Sequence, residues 1–119
     1  MTQQTSDDCL FCRIVAGDIP SDRVAESERS IAFRDINPVA PVHVLVVPRR
    51  HEPTVGALAE ASGDDLADVF RLAQQVAEQE GAGDAHRMIV NTGSAAGQTV
   101  FHAHVHVIAG ARFTEGSMV

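Results

Sequence analysis

Phe101-His-Ala-His-Val-His-Val-Ile108 places histidines at positions 102, 104 and 106 with apolar residues between and after them. A period of two belongs to an extended strand, whose successive side chains point to opposite faces. Val100–Ile108 therefore reads as the last strand, with the three imidazoles lined up on one face about 6–7 Å apart from neighbour to neighbour. Val105 and Val107 fall on the other face, which makes that face core. Solvated strand faces are ordinarily filled by β-branched or charged side chains, so three convergent histidines point to catalysis or to metal binding.

The composition narrows what those histidines serve. The chain has 119 residues, a single-domain length, and a 45% hydrophobic fraction that supports an ordinary globular core. Its formal net charge of −7 gives no general attraction for nucleic acid or an anionic membrane surface. All nine basic residues are arginine, which excludes a P-loop lysine, a Schiff-base lysine and a lysine general base. Tyrosine and tryptophan are also absent, leaving histidine to do chemistry near neutral pH. The N-terminal residues lack the basic and apolar regions of a signal peptide. Apolar runs such as Val44–Val47 are far below the ~20 residues of a membrane helix. A cytoplasmic protein with no membrane or nucleic-acid partner is the expectation.

Along the chain there is no repeat, low-complexity tract or linker. Residues 1–8 are polar and expected to form a disordered tail, residues 9–112 one domain, and residues 113–119 a short C-terminal tail. Cys9–Ala16 reads as a short helix with Gly17 placed to stop it. Arg23–Ala25 and Ser30–Arg34 read as a strand pair, and 35–41 as a proline-punctuated loop. His43–Val47 reads as a buried strand closed by Pro48. Asp64–Glu80 is the main helix, because Leu66, Val69, Phe70, Ala73, Val76 and Ala77 recur at three- and four-residue spacing. Ser62 with Asp65 resembles a capping box, and Gly81 and Gly83 end the helix. Arg87–Asn91 is a further strand and Thr92–Thr99 a glycine-containing loop. Antiparallel neighbours around one long helix make the class α+β.

Two mechanisms compete for the histidine row. Three imidazoles can hold a catalytic zinc with water in the fourth position. Alternatively, one neutral imidazole attacks an electrophile while its neighbours orient it and donate protons. The preceding loop, Asn91-Thr-Gly-Ser-Ala-Ala-Gly-Gln-Thr99, has glycines for close approach, amide and hydroxyl donors, and no carboxylate for a metal. It suits a phosphate or phosphoramidate ester. Cys9-x-x-Cys12 can be a pair of buried apolar cysteines, a redox dithiol, or half of a Cys₂His₂ zinc site completed by His51 and His102. His86 has no motif around it and is expected at the surface.

His102-Ala-His-Val-His-Val-Ile108 resembles the His-φ-His-φ-His-φ-φ signature of the histidine triad (HIT) superfamily. The likeness extends through Cys9–Pro20, Ala32-Phe-Arg-Asp-Ile36, Pro41–Pro48, the helix and Met88–His102, and the ending Val-Ile-Ala-Gly-Ala-Arg112 is most similar to the Hint branch. The resemblance implies a five-stranded antiparallel sheet with one long and one short helix, joined to a second copy in a homodimer. It implies hydrolysis or transfer at the α-phosphate of purine nucleoside 5′-phosphoramidates, through a covalent nucleotidyl-histidine and without a catalytic metal. His104 is then the nucleophile, active when neutral and expected to lose activity as pH drops through an ordinary histidine pKa of about 6.5. His106 contacts the phosphate and helps protonate the leaving group, and His43 sits behind the triad and orients its imidazoles. Gly97, Gln98 and Thr99 hold the phosphate and the scissile bridge, and Asn91 contacts the phosphate or sugar. Asp35 takes the ribose hydroxyls; a lone Asp before such a loop would sooner form a turn, and the match of Phe33-Arg-Asp-Ile36 to the family reverses that reading. Phe11, Ile14, Ile19, Phe33 and Ile36 sandwich the base. Family members carrying the Cys-x-x-Cys pair place structural zinc on Cys9, Cys12, His51 and His102. Hydrolysis of a dinucleoside polyphosphate or nucleoside diphosphate derivative remains open, as does a nucleotide- or zinc-binding regulatory module with incidental catalysis.

Overall fold

The computed structural model describes residues 8–116. The elements run α1 (Leu10–Val15), β1 (Arg23–Glu26), β2 (Ser30–Arg34), β3 (Val42–Pro48), α2 (Val55–Ala61), α3 (Gly63–Gln79), β4 (Arg87–Ile89) and β5 (Val105–Ala109), with a single 3-10 turn at Ser94–Ala96 before β5. The five strands form one antiparallel sheet in the order β1-β2-β3-β5-β4. This is the α+β architecture the sequence predicts. The tail expected over residues 1–8 lies almost wholly outside the described residues, as do the last three positions of the C-terminal one. Of that C-terminal segment, Phe113 lies under the Arg87 guanidinium at 4.9 Å and Thr114 accepts a hydrogen bond from it, which ties the chain back onto β4.

Alternation in the strands gives the sheet two different faces. Ala32, Val44, Val46, Val105 and Val107 are buried on one face beneath α3 and Leu58 of α2. Ile31, Phe33, Leu45 and Val47 are buried on the other with Cys9, Phe11 and Ile14 from α1 and its N-cap. The long helix presents Val69, Leu72, Ala73, Val76 and Ala77 inward, while Leu66 and Phe70 are only partly covered. Ser62 caps it by accepting the Asp65 N–H at 3.1 Å. The reciprocal half of the expected capping box does not form, because the Asp65 carboxylate accepts Arg29 Nη1–H at 2.6 Å instead.

Two further expectations are corrected. Helix α2 was not foreseen; Thr54 caps it by accepting the Ala57 N–H at 3.1 Å, and only Leu58 is fully buried on it. A seven-residue element with one buried side chain has no readable apolar period. The final strand starts at Val105, not at Val100, because 100–104 makes no ladder with a neighbour. His102 and His104 therefore precede the sheet, and only His106 belongs to it.

Leu58 contributes one fully buried side chain over the centre of the sheet. Leu58→Ala is expected to cost about 2–5 kcal/mol, read as a lower urea midpoint with an unchanged denaturant slope.

Candidate active site

Pairing of β3 with β5 sets Leu45 opposite His106 and His43 opposite Ile108, so His43 and His106 share a sheet face. His43 accepts the Val39 N–H on Nδ1 at 3.1 Å. A backbone N–H can only donate, so the His43 proton sits on Nε2, which lies 2.9 Å from His106 Nδ1. Asp35 Oδ2 is 3.4 Å from the same His43 nitrogen. His106 thereby accepts on Nδ1 and carries its own hydrogen on Nε2. The His104 ring contacts His106 at 5.0 Å between centroids, and Phe11 meets it in a T-shaped arrangement with centroids 5.1 Å apart. His104 Nδ1 is 2.7 Å from the carbonyl of His102. A carbonyl can only accept, so His104 is protonated on Nδ1 and keeps a lone pair on Nε2.

Burial acts on His104 and His106. It lowers the His104 pKa below the usual 6.5, against the smaller upward pull of the His102 carbonyl and of Asp35. His106 is pushed down to about 4, by burial first and then by His104 and His43. A neutral His104 thus persists at pH values where a free histidine is charged, which moves the acid limb expected from sequence to lower pH. Nitrogen-15 shifts of the two rings should show His104 as the Nδ1–H tautomer and His106 as the Nε2–H tautomer, with His106 still neutral at pH 6 and His104 less protonated there than a free histidine.

His104 and His106 open onto a cleft of about 560 Å³. Phe11, Ile14, Ile19, Phe33 and Ile36 all line it, as do Asp35, Asn91, Gly97 and Thr99. Ile36 is 92% exposed, so the rim of the cleft offers bare apolar surface to whatever enters. Asp35 serves the turn as well, accepting the Asn37 N–H on Oδ1 at 2.8 Å. Gly97 adopts φ +96, a left-handed conformation that strains any other residue. Gln98 departs from the expected arrangement. Its Oε1 accepts the Gly93 N–H at 2.9 Å and its Nε2 donates to the carbonyls of Pro53 and Val100 at 2.8 and 3.0 Å. The buried amide braces the loop from behind and does not line the cleft.

Sequence reasoning missed Leu10, Leu45, Arg34 and Val100 on the cleft wall. Leu45 could have been found from strand parity with His43; the others depend on how α1 and the loops fold over the sheet. Arg34 is held by Glu80 at 2.8 Å, which raises its pKa, with Asp22 at 3.6 Å. His86 is half-buried away from the cleft lining, with Nδ1 2.7 Å from the Ala82 carbonyl.

The third triad histidine faces elsewhere. His102 donates Nε2–H to the Pro48 carbonyl at 2.8 Å, which leaves its Nδ1 as a lone pair. That lone pair lies 3.4 Å from Cys9 Sγ, 3.4 Å from Cys12 Sγ and 3.2 Å from His51 Nδ1. Cys12 Sγ and His51 Nδ1 are themselves 3.2 Å apart. The four ligand atoms all fall within 4.8 Å of one another. Tetrahedral Zn–N and Zn–S bonds of about 2.0–2.3 Å require ligand separations of about 3.3–3.8 Å, and this set approaches that spacing. Among the described residues His51 Nε2 is buried without a hydrogen-bond partner, while its Nδ1 is the atom that faces the cluster. Asp35, His43 and His106 form a second group of metal-ligand types. There the ring-to-ring hydrogen bond accounts for the close approach, and an ion would need the His43 Nε2 that carries its proton.

Among known proteins, this chain is 39% identical over 106 residues to the purine nucleoside phosphoramidase of Escherichia coli, covering 88% of this chain and 89% of that one. It is 40% identical over 104 residues to a 14 kDa zinc-binding protein of Zea mays, covering 85% and 80% of the two chains. A solved HIT family hydrolase from Clostridium thermocellum superposes with a TM-score of 0.89 at 42% identity, covering 97% of this chain and all of that one. The HIT domain model matches residues 16–113, and with that match the fold and the histidine cluster have one common source: the chain belongs to the HIT domain family.

Proposed function

We propose that the protein hydrolyses purine nucleoside 5′-phosphoramidates at the α-phosphate, through a nucleotidyl group carried on His104. The observation that carries this reading is the His104 tautomer: Nδ1–H is held by the His102 carbonyl at 2.7 Å, and burial keeps the ring neutral. Its Nε2 lone pair is free for attack in a cleft walled by apolar side chains and by the Asn91, Gly97 and Thr99 loop. The likeness to the Escherichia coli purine nucleoside phosphoramidase supports the choice of leaving group.

In the first step His104 Nε2 forms a bond to phosphorus as the bond from phosphorus to the bridging nitrogen breaks. The bridging nitrogen takes up a proton from water, and a neutral amine departs. His106 Nε2–H donates to a phosphoryl oxygen or to the bridging atom as charge develops, while His43 holds the ring in that tautomer. A neutral imidazole is a poor proton source, so the geometry favours the hydrogen-bonding part of the His106 role over direct proton transfer. Thr99 and the Gly97 backbone face the phosphate, and Asn91 the phosphate or sugar. In the second step water attacks phosphorus, the bond to Nε2 breaks and returns its electron pair to the ring, and the nucleoside monophosphate leaves; the proton given up by the attacking water neutralises the hydroxide left in the first step. Asp35 accepts the ribose hydroxyls, and Phe11, Ile14, Ile19, Phe33 and Ile36 take the base.

The Cys9, Cys12, His51 and His102 set is chemically suited to zinc, which supplies structural cross-linking where α1 meets the sheet. The likeness to a zinc-binding protein supports that metal. β4 is an edge strand with Val90 exposed just beyond it, a fitting place for a second copy to extend the sheet in a homodimer. No helix among the described residues is long and apolar enough to cross a membrane.

Early quenching of a reaction with adenosine 5′-phosphoramidate should give, by mass spectrometry, one AMP adduct that maps to His104. His104→Ala should lose both adduct and turnover, by at least about a thousand-fold; intact turnover in that variant overturns the reading. The pH profile of kcat/KM should keep its plateau below pH 6.5 and fall only at more acid pH, since the folded-state pKa of His104 is lowered. An acid limb at or above 6.5 contradicts the burial argument. Metal analysis should find about one zinc per chain and substantially less in Cys12→Ser.

A further inference from the structure

The nucleophile stands just outside the sheet. β5 begins at Val105, so no strand ladder fixes residues 102–104, and among the described residues their one backbone hydrogen bond of this kind is Ala103 N–H to the Glu52 carbonyl at 2.7 Å. Among the described residues, three side-chain or carbonyl contacts hold the His104 ring: the His102 carbonyl, the Phe11 ring and the His106 ring. His106 is secured independently, by the strand and by His43. The other two contacts share a different anchor. His102 is itself a member of the Cys₂His₂ set through Nδ1. Phe11 sits on α1 between two other members, Cys9 and Cys12, and also meets the His102 ring at 6.0 Å.

Helix α1 has six residues, too few to be stable by themselves, and tertiary contacts must hold it in place. Arg23 Nη2 ties down its C-terminal end through the carbonyls of Ile14 and Val15 at 2.6 and 3.1 Å. Its N-terminal end, where Phe11 lies, is secured through the cysteines and their histidine neighbours.

We infer that His102 is a positioning residue for His104, and that ion occupancy at Cys9, Cys12, His51 and His102 aligns the nucleophile. His102 is gripped at both ring nitrogens, Nε2 by the Pro48 carbonyl and Nδ1 by the ion. Its backbone carbonyl is thereby fixed at the point where it selects the His104 tautomer. The same grip holds Phe11 in its T-shaped contact with the reacting ring. Loss of the ion frees both contacts together; Phe11 is the one base-lining side chain it releases, since Ile14 stays tied through its carbonyl to Arg23 and the walls made by Ile19, Phe33, Ile36 and the loop at 91–99 stay in place. The cost therefore falls on the chemical step more than on nucleotide binding. This inference rests on the reading of His104 as nucleophile.

The full-length protein is compared Zn²⁺-loaded, chelator-stripped and Zn²⁺-reloaded, by three measurements: the pre-steady-state rate of the AMP adduct, the Kd for AMP, and the nitrogen-15 shifts of the His104 ring. On stripping, the adduct rate is expected to fall about ten-fold or more while the Kd for AMP changes much less. The His104 shifts should move from one tautomer to an average of two, and reloading should restore all three readings. Should stripping unfold the chain, exchange of Zn²⁺ for Cd²⁺, with its longer bonds, gives the test in a folded protein: altered His104 shifts and a slower adduct are expected. Unchanged shifts and an unchanged adduct rate in the folded stripped or exchanged protein overturn the inference. Equal losses in adduct rate and AMP binding overturn it too, since they mark a merely structural ion. Absence of any adduct on His104 in the Zn²⁺-loaded protein is a separate failure, of the functional reading.

Discussion

The pairing of β3 with β5 at the centre of the sheet is the constraint on which the site depends. Its register places Val44 against Val107 and Val46 against Val105 on the face that α3 covers. With those four valines buried, parity forces His43, Leu45 and His106 onto the opposite face. A slip of one residue would put His106 into the apolar core and the valines against the cleft. The hydrophobic stability of one face is thus what aims the polar chemistry of the other.

On that second face, backbone groups choose the protonation pattern. The Val39 N–H, the His102 carbonyl and the Pro48 carbonyl each assign a proton to one nitrogen of a particular ring. His43 then passes its assignment to His106 across a 2.9 Å contact. Three imidazoles close in sequence acquire three different jobs by this means. His104 keeps a lone pair on Nε2, His106 presents a donor, and His102 turns a lone pair toward two cysteines and His51. Burial reinforces the pattern by disfavouring the charged form of each ring.

The Cys₂His₂ cluster and the cleft are consequently neighbours with a shared wall. Cys9 and Cys12 flank Phe11, and His102 is joined to His104 through one carbonyl. Such closeness explains how a helix as short as α1 can form part of a binding cleft at all. Gln98 plays a comparable bracing role for the loop, spending its whole amide on Gly93, Pro53 and Val100.

Periodicity and local chemistry were enough to mark the sheet strands, the long helix, its Ser62 cap and the residue types of the site, because each depends on near neighbours in the chain. The alternation at 105–107 and the stripe on α3 need no partner to be read. Resemblance of the triad, the Phe-x-Asp-Ile element and the Cys-x-x-Cys pair to one family added the roles expected of those residues. What the chain alone left undetermined was set by contacts between distant segments. Where the last strand starts depends on which residues find a ladder partner, and Val105 is the first that does. The burial that lowers the His104 pKa and the inward turn of Gln98 likewise depend on distant segments. The division of labour among the histidines was likewise tertiary, since a ring's tautomer is set by the carbonyl or N–H that folding brings to it, and linear order holds no record of that meeting.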